Sequence, residues 1–239
     1  MPLYNTRRYL ARAVESVVNQ THTVWELLII DDCSSDGSCE LACRFSLIDS
    51  RIRVISMLRK SGPASARNLG IEEASGDFIA FLDSDDLWEE SKLEKQVAFM
   101  DDRGVAFSYT DYSRISESGS IIKRKLVLPS SISYRDLLKE NKIGCLTAVY
   151  DVRRVGKVFM PLLDKRQDYA LWLKLLRQVG RAYKVDGTLA KYRVRSGSVS
   201  SSLFLNVKYN WRVFRRVENL SFLRSIYYLS WNMLNKVRS

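Results

Sequence analysis

Two apolar, strand-like runs of this chain each end directly in a group of carboxylates. The run Leu27–Ile30 is followed by Asp31–Asp32, and the run Phe78–Leu82 is followed by Asp83–Asp86, in which only the second position is not acidic. Carboxylates this close repel one another and cost free energy to remove from water, so the pattern requires a positive partner. In open α/β sheets, ligands bind beyond the carboxyl ends of the strands, and we expect both groups to face one such crevice.

The stretch that contains these runs alternates between strand-like and helical patterns. Strand-like runs occupy residues 25–30, 52–57 and 77–82, and helical periodicity occupies residues 6–20, a segment up to 45, and 63–74. Asn5 or Thr6 can cap the first helix, and Pro63 suits the first turn of the last one. The alternation predicts an α/β fold with a mixed, mainly parallel sheet flanked by helices.

The regular alternation ends after Trp88. Helices are predicted for residues 91–101, 133–141 and 167–178, strands for 105–114, 120–128, 144–150 and 183–195, and two basic amphipathic helices within 203–236. The chain shows no internal repeat or low-complexity linker, so we expect one domain with a helical tail.

Composition excludes several kinds of site. No apolar run approaches the roughly 18 residues that span a bilayer, and no signal peptide opens the chain. The four cysteines lack Cys-x-x-Cys spacing, and with a single histidine no zinc site can be assembled. A cytoplasmic protein with reduced thiols is expected, and any metal would need oxygen ligands. Dehydrogenase and kinase functions have no glycine-rich motif to support them.

A divalent cation is the positive partner that the acidic strand ends favour. Mg²⁺ and Mn²⁺ use few protein carboxylates and complete their shells with water and phosphate oxygens. The alternative is that the aspartates only cap the next turn, which we favour for Asp86. Arg67, on the helix before the second acidic group, can pair with a diphosphate or a carboxylate, or form a surface ion pair. Tyr4 can stack on a base or pack in the core.

Six segments in one order resemble family 2 glycosyltransferases, which are inverting enzymes with a GT-A (Rossmann-like) fold and nucleotide-sugar donors. The segments are Pro2–Asn5, Ser16–Thr21, Trp25–Gly37, Ala66–Gly70, Gly76–Asp86 and Lys165–Trp172. The resemblance covers residues 2 to about 195. It implies a glycosyltransferase domain over residues 1–200, with a nucleotide-sugar-binding half (1–100) and an acceptor-binding half (101–200), and a basic helical tail over 201–239.

The resemblance also implies a role for individual residues. Asp168 matches the catalytic base, and Asp83 and Asp85 match a DxD motif that holds Mn²⁺ or Mg²⁺. Tyr4 would stack on the nucleobase, Asp32 would accept a hydrogen bond from its imide, and Arg67 would lie near the diphosphate. The remaining nucleotide-sugar contacts implied are Pro2, Asn5, Asp31, Asp83 and Ser84.

The expected reaction is transfer of one sugar from a nucleotide-sugar, with UDP-sugars favoured, to a hydroxyl of a cell-surface glycan or lipid-linked acceptor. The absence of the Gln-x-x-Arg-Trp motif favours single additions over polymer synthesis. A nucleotidyltransferase is a weaker alternative, because the basic, glycine-rich N-terminal loop of that class is absent.

The start of the chain departs from the family pattern. Family members begin with an apolar strand before the Tyr-Asn loop, whereas this chain starts at Met1–Tyr4. We expect that Met1 is an internal methionine and that the first strand is truncated, and an inactive, membrane-associated remnant is the alternative function. An extended form no more stable or active than the 239-residue form would contradict this expectation.

The net charge of +11 indicates that the protein has a negatively charged partner. Residues 203–239 carry seven basic residues and one acidic residue, a local net charge of +6. Two interpretations stay open: interfacial helices on an anionic membrane, which would make the protein peripheral on the inner face of the plasma membrane, or helices packed over the domain. Nucleic acid is not an expected partner, because no recognised motif accompanies the charge.

Overall fold

Strands and helices alternate through the first half of the chain, and two helices end it. The computed structural model describes residues 1–195 and 203–238. The helices are α1 (Arg7–Val18), α2 (Ser38–Ile48), α3 (Pro63–Glu73), α4 (Lys92–Arg103), α5 (Tyr134–Lys139), α6 (Val152–Val155), α7 (Gln167–Val179), α8 (Leu203–Arg212) and α9 (Phe222–Arg238). The strands are β1 (Pro2–Leu3), β2 (Leu27–Asp31), β3 (Ile52–Ser56), β4 (Phe78–Ala80), β5 (Leu87–Trp88), β6 (Phe107–Ile115), β7 (Ile121–Leu126), β8 (Ser131–Ser133), β9 (Val149–Asp151) and β10 (Arg181–Arg193).

A parallel sheet of β1, β2 and β3 forms the N-terminal part. Pro2 pairs with Ile30 of β2, which places the loop after β1 next to the loop after β2. All five residues of β2 are buried because alternate side chains face different helices. Ile29 packs with residues of α1 and α2, whereas Ile30 packs with Ala66 of α3. The continuous apolar run in the sequence follows from this two-sided burial.

The remaining strands form a second, mixed sheet in the order β4-β9-β6-β10-β5, with β7 beside β6 and β8 beside β10. Of its pairs in the described residues, β6–β10 is parallel and the others are antiparallel. The α/β prediction is confirmed, but the prediction of a mainly parallel sheet is wrong for this half. Short connections such as the one between β6 and β7 can only join antiparallel neighbours.

Two local predictions are also wrong. Residues 144–150 do not form one strand, because Cys145–Thr147 is a 3-10 turn and β9 begins at Val149. The turn closes where the backbone N–H and the hydroxyl of Thr147 both donate to the carbonyl of Gly144, at 2.9 and 2.7 Å. Thr6 precedes α1 but makes no side-chain capping bond, since its hydroxyl shares a hydrogen bond with Ser84.

The largest apolar core lies beneath α7. Trp172 is fully buried, and its ring centroid lies 5.5 Å from that of Phe81 and 5.4 Å from that of Phe107. Such aromatic contacts add to the free energy of burying the rings. They fix α7 against the strands, so the first turn of this helix has a defined position relative to the end of β4.

The C-terminal helices pack on this core through one side. Phe214, in the π-helical turn Val213–Val217 between α8 and α9, is fully buried, with its ring centroid 6.3 Å from that of Tyr169. Glu218 accepts a hydrogen bond from the Tyr134 hydroxyl at 2.5 Å and pairs with Arg177 at 2.7 Å. The prediction of two helices within 203–236 is confirmed for the described residues. One side of this helical segment packs against the domain.

A cavity of about 590 Å³ separates the two sheets between β2 and β4. The amino group of Met1 lies at its edge and donates to the carbonyl of Leu28 at 2.8 Å. Burial, followed by the charge of Arg67, lowers the pKa of this amino group to about 5. The expectation of a truncated first strand stays a prediction.

Candidate active site

The carboxylates at the end of β2 organise the neighbouring loops. Asp32 is 3% exposed and accepts hydrogen bonds from the backbone N–H groups of Ser61 and Gly62 at 2.6 and 2.8 Å. Asp31 accepts from the N–H of Ser34, with both carboxylate oxygens 3.3 Å away. A carboxylate offers about four acceptor positions, so Asp32 keeps capacity for another donor while it holds the loop before α3.

Tyr4 and Asn5 form the loop after β1 at the same edge of the sheet. The Tyr4 ring is 41% exposed, and the ammonium nitrogen of Lys60 lies 3.8 Å from its centroid. Asn5 adopts a positive φ of 49°, which asparagine tolerates, and its Oδ1 accepts from the N–H of Ser35 at 2.8 Å. Tyr4 is therefore not a core residue, and an exposed aromatic ring stands beside the Asp32 loop.

Arg67 of α3 connects two acidic parts of the site. A terminal nitrogen of its guanidinium lies 2.5 Å from Oδ1 of Asp83, and the Arg67 side chain is only 10% exposed. Burial opposes the charge of Arg67, but the carboxylates of Asp83 and Asp168 outweigh burial and raise its pKa. The interpretation of Arg67 as a surface ion pair is therefore wrong. For the Cys145 thiol, by contrast, burial raises the pKa. The charges of Arg67, Asp83 and Asp168 also influence this thiol.

The second acidic group is held by the end of β10 and the residues after it. Arg195 Nε lies 3.0 Å from Oδ2 of Asp85. Arg193 donates from its Nε to the Asp85 carbonyl and from its backbone N–H to Oδ1 of Asp86, both at 2.7 Å. Asp86 therefore binds the acidic turn to β10. Its side chain accepts from the backbone of Arg193 rather than capping Leu87–Trp88 as predicted.

Ser84 lies between the two metal candidates and points the other way. It is 3% exposed, and its hydroxyl shares a hydrogen bond of 2.8 Å with Thr6 Oγ1. Because Thr6 directly follows the Tyr4–Asn5 loop, this bond joins the first sheet to the acidic turn of the second. Predicted contacts that lie 80 residues apart in the sequence thus come together.

Burial and mutual repulsion both disfavour the ionised carboxylates of the acidic turn. Burial raises the pKa of Asp85, the charge of Asp83 raises it further, and Arg195 opposes both. Burial and the charges of Asp85 and Asp83 raise the pKa of Asp86 well above its ordinary value. A cation between Asp83 and Asp85 would reduce this repulsion, and their oxygen donors suit Mg²⁺ or Mn²⁺ rather than a soft metal.

The protein supplies only part of a coordination shell. In residues 1–195 and 203–238, no three side chains of His, Cys, Asp or Glu converge in a way that could hold a metal ion. Mg²⁺ typically binds through one or two carboxylates, with phosphate and water completing its shell. The residues present fit a cation that binds together with a diphosphate.

Asp168 lies in the first turn of α7 and is half-buried. The unpaired N–H groups at a helix start favour a negative side chain there. Arg166 turns the chain into this helix with a positive φ of 67°, and its guanidinium donates to Oδ1 of Asn206 on α8 at 2.7 Å. The next residue, Tyr169, is fully buried, and its hydroxyl donates to the carbonyl of Leu137 at 3.2 Å.

The predicted residues are linked by a series of short contacts, and we call the region that they surround the cleft. Asp32 holds Gly62 at the start of α3, and Arg67 lies five residues along this helix, a rise of about 7.5 Å. Arg67 contacts Asp83 and lies near Asp168. The structure therefore brings the nucleotide-side, metal and base candidates together, although their individual roles stay predictions.

Sequence reasoning missed four residues of this cleft: Lys60, Cys145, Arg193 and Arg195. A signal existed for the arginines, because alternate residues at the end of a strand share a face and the predicted strand 183–195 ended in Arg-Val-Arg. No signal existed for Cys145, whose placement depends on the 3-10 turn.

Comparison with known proteins identifies the family. Residues 1–157 match the family described as Glycosyl transferase family 2. The chain belongs to this family and is a glycosyltransferase.

Two of its relatives have names that state a biosynthetic role or a reaction. The chain is 42% identical to TuaG of Bacillus subtilis, a glycosyltransferase named for teichuronic acid biosynthesis, over 94% of this chain and 89% of that protein. It is 40% identical to WfgD of Escherichia coli, a UDP-Glc:α-D-GlcNAc-diphosphoundecaprenol β-1,3-glucosyltransferase, over 96% and 88% of the two chains.

Solved structures show that the fold is GT-A. Staphylococcus aureus TarS in complex with UDP-GlcNAc superimposes with a TM-score of 0.71 at 19% identity, over 95% of this chain and 68% of that chain. The mannosyltransferase PcManGT of Pyrobaculum calidifontis, in complex with GDP-Man and Mn²⁺, gives a TM-score of 0.70 at 15% identity over the same shares. The predicted fold class is confirmed.

Proposed function

We propose that this glycosyltransferase moves one sugar from a UDP-sugar to a hydroxyl of a lipid-linked precursor of a cell-surface glycan, with inversion at the anomeric carbon. The observation that carries the proposal is the contact of Arg67 with Asp83 at 2.5 Å beside Asp168. Arg67 would provide the positive charge for the leaving diphosphate, and the nearby carboxylate of Asp168 would accept a proton.

The nucleotide would bind at the carboxyl edge of the β1–β3 sheet. The exposed Tyr4 ring offers a stacking face, and the spare acceptor positions of Asp32 suit the imide N–H of uracil. Lys60, now over the Tyr4 ring, is a cation within reach of a nucleotide phosphate. Asp31, Asn5 and Pro2 shape the loop rather than supply charge to the ligand.

The diphosphate would lie between Arg67 and the acidic turn. Asp83 and Asp85 would hold Mn²⁺ or Mg²⁺, which when bound neutralises phosphate charge and improves the leaving group. Arg67 contributes a fixed guanidinium on the same side, because burial and its contact with Asp83 restrict its motion. Ser84, bound to Thr6, keeps the turn in position.

Asp168 would act as the general base. It accepts the proton of the acceptor hydroxyl while that oxygen attacks the anomeric carbon on the face opposite the diphosphate. A single displacement of this kind needs one base and inverts the configuration.

The acceptor class rests on the relatives. WfgD acts on a GlcNAc-diphosphoundecaprenol, and TuaG is named for teichuronic acid. We therefore propose a glycan carried on a lipid diphosphate as the acceptor and a UDP-hexose, with UDP-glucose tested first, as the donor.

The deciding experiment measures nucleotide release from a panel of UDP- and GDP-sugars, with Mn²⁺ or Mg²⁺, with and without a synthetic GlcNAc-diphospho-lipid. We expect UDP release that depends on the acceptor and the metal and is lost in Asp85→Ala. Asp101→Ala, which removes an exposed carboxylate that pairs with Arg153, is the matched control. Release from GDP-sugars alone would overturn the donor, and a folded protein inactive with every donor would favour the inactive-remnant alternative.

A further inference from the structure

The outward side of α9 presents an apolar stripe to solvent. Large apolar side chains recur there at helical spacing, and the most exposed is Leu223 at 78%. The members of this stripe are Phe222, Leu223, Ile226, Tyr227, Met233 and Leu234, all at least 42% exposed. A contiguous patch of this kind is uncommon on a monomer and typically marks an interaction surface.

The opposite side of α9 is fixed to the protein. Asn232 donates to the carbonyl of Leu138 at 2.9 Å and accepts from Asn210 at the same distance. Ser225 is fully buried, and the Tyr228 ring lies 6.1 Å from Phe214. With its inner side bound at several points, α9 cannot rotate to bury the stripe without breaking these contacts.

A basic groove of about 430 Å³ runs between α8, the π-helical turn and α9. Its lining combines four cations with apolar side chains: Val207, Lys208, Trp211, Arg212, Arg215, Arg216 and Leu229. Arg212 pairs with Asp164 at 3.0 Å, whereas Lys208 and Arg216 form no ion pair within residues 1–195 and 203–238. The groove therefore carries uncompensated positive charge.

The groove and the stripe adjoin. Trp211 of the groove contacts Phe222 of the stripe, with ring centroids 5.6 Å apart. Leu229 of the groove lies four residues before Met233 of the stripe, one helical turn away on α9. Together they form one surface in which an apolar stripe is bordered by cations.

We propose that this surface docks on an anionic phospholipid bilayer, with the stripe among the acyl chains and the groove around lipid phosphates. Apolar side chains on one side of a helix with basic residues beside them match the chemistry of the bilayer interface. Of the helices described over 1–195 and 203–238, none is long and apolar enough to cross a membrane.

A second copy of the chain is a less suitable occupant. Two such surfaces placed face to face would bring the unpaired Lys208 and Arg216 of both copies together, and among the described residues that line the groove there is no carboxylate. Like charges at an interface disfavour association. An anionic lipid surface instead supplies the missing negative charge.

The test uses the full chain in co-sedimentation with vesicles of phosphatidylcholine alone or with phosphatidylglycerol as about a third of the lipid. We expect binding only to the anionic vesicles, weakened by salt. Leu223→Ser with Leu234→Ser, and separately Lys208→Gln with Arg216→Gln, should each lower the partition coefficient about tenfold.

Matched controls are Leu47→Ser with Ile48→Ser, which are exposed apolar residues on α2, and Lys95→Gln with Lys174→Gln, which are exposed lysines elsewhere. Both controls should bind like the original chain. Thermal unfolding monitors the fold of every variant, and analytical ultracentrifugation monitors association.

Equal binding to both vesicle types, or unchanged binding of both groove and stripe variants, overturns the proposal. A dimer that Leu223→Ser dissociates overturns it in favour of a second copy. The measurement requires no turnover, so its failure is distinguishable from failure of the proposed function.

Discussion

The cleft and the C-terminal surface both concentrate charge, but they compensate it differently. In the cleft, Asp83 and Asp85 each contact an arginine, at 2.5 and 3.0 Å. On the C-terminal surface, Lys208 and Arg216 form no ion pair in the described part of the chain. Charges that are paired within the chain hold the side chains of the cleft in fixed positions. Unpaired cations on an exposed surface instead require an anionic partner from outside the chain.

The largest effect expected in the cleft comes from Asp168→Asn. Loss of the base should lower kcat about 10³-fold, because general-base catalysis typically contributes 10² to 10⁴. The donor KM should stay near its original value, since Asp168 is not expected to bind the donor. Steady-state kinetics with a saturating acceptor provide the measurement.

Asp164→Asn is the control for this variant. Asp164 lies four residues earlier, on the surface, and pairs with Arg212 rather than with a cleft residue. It should retain most of the activity. If Asp164→Asn lost as much activity as Asp168→Asn, the loop as a whole and not the base would explain both results.

Arg67→Met should destabilise the fold. It leaves Asp83 without its partner and removes the only cation that faces both Asp83 and Asp168 among the contacts described. Loss of one partner from a largely buried pair should cost about 2–4 kcal/mol in urea unfolding. Arg53→Met, which breaks the exposed pair with Glu73, should cost less than about 1 kcal/mol. Equal losses would place Arg67 among ordinary surface pairs.

Arg195→Gln tests whether the guanidinium of Arg195 competes with a divalent metal ion for the carboxylate of Asp85. Arg195 contacts Oδ2 of Asp85 at 3.0 Å, so its charge competes with a divalent ion for this carboxylate. We expect the variant to bind Mn²⁺ about fivefold more tightly without nucleotide, measured by electron paramagnetic resonance of free Mn²⁺. Lys191→Gln, which removes a pair with Glu89 farther along β10, should leave the affinity unchanged. Weaker binding in Arg195→Gln would contradict competition.

The smallest effect concerns Asp86→Asn and its dependence on pH. Burial and the charges of Asp85 and Asp83 raise the folded pKa of Asp86, so the folded protein binds more protons than the unfolded chain above the unfolded pKa of about 3.9. Stability of the original protein therefore falls as the pH rises through this window. The asparagine variant lacks this penalty, and its melting temperature should be higher at pH 7.5, with the advantage disappearing toward pH 4.

Asp49→Asn should behave in the opposite way. Hydrogen bonds from Arg51 lower the pKa of Asp49, so its ionised form stabilises the folded protein. The variant should be slightly less stable at pH 7.5 and equal to the original near pH 2. Shifts of the same sign in both variants would show that local charge environment does not control these effects.

The sequence predicted those parts of the protein that local patterns determine. The runs Leu27–Ile30 and Phe78–Leu82 identified β2, β4 and the acidic residues that follow them. Burial on both faces leaves a continuous apolar run in β2, whereas in β4 the middle residue, Ile79, is buried and its two neighbours are partly buried. The 3-10 turn at Cys145–Thr147 had no comparable pattern, because it depends on one threonine bonding to a nearby carbonyl.

The pairing within the cleft was harder to predict than its members. Asp85 and Arg195 are 110 residues apart, and their contact depends on how β10 lies beside β5. The orientation of the C-terminal helices likewise follows from contacts such as Asn232 with Leu138, which the amphipathic pattern of α9 does not contain.

The bond between Arg166 and Asn206 ties the segment just before the base to α8. From Asp168 to Arg177, α7 rises about 14 Å, and Arg177 is attached to Glu218 ahead of α9. With α9 resting on a bilayer, these ties would set a constant height for the carboxylate above the lipid. The enzyme would then select an acceptor hydroxyl by its distance from the phosphate that links the acceptor glycan to its lipid.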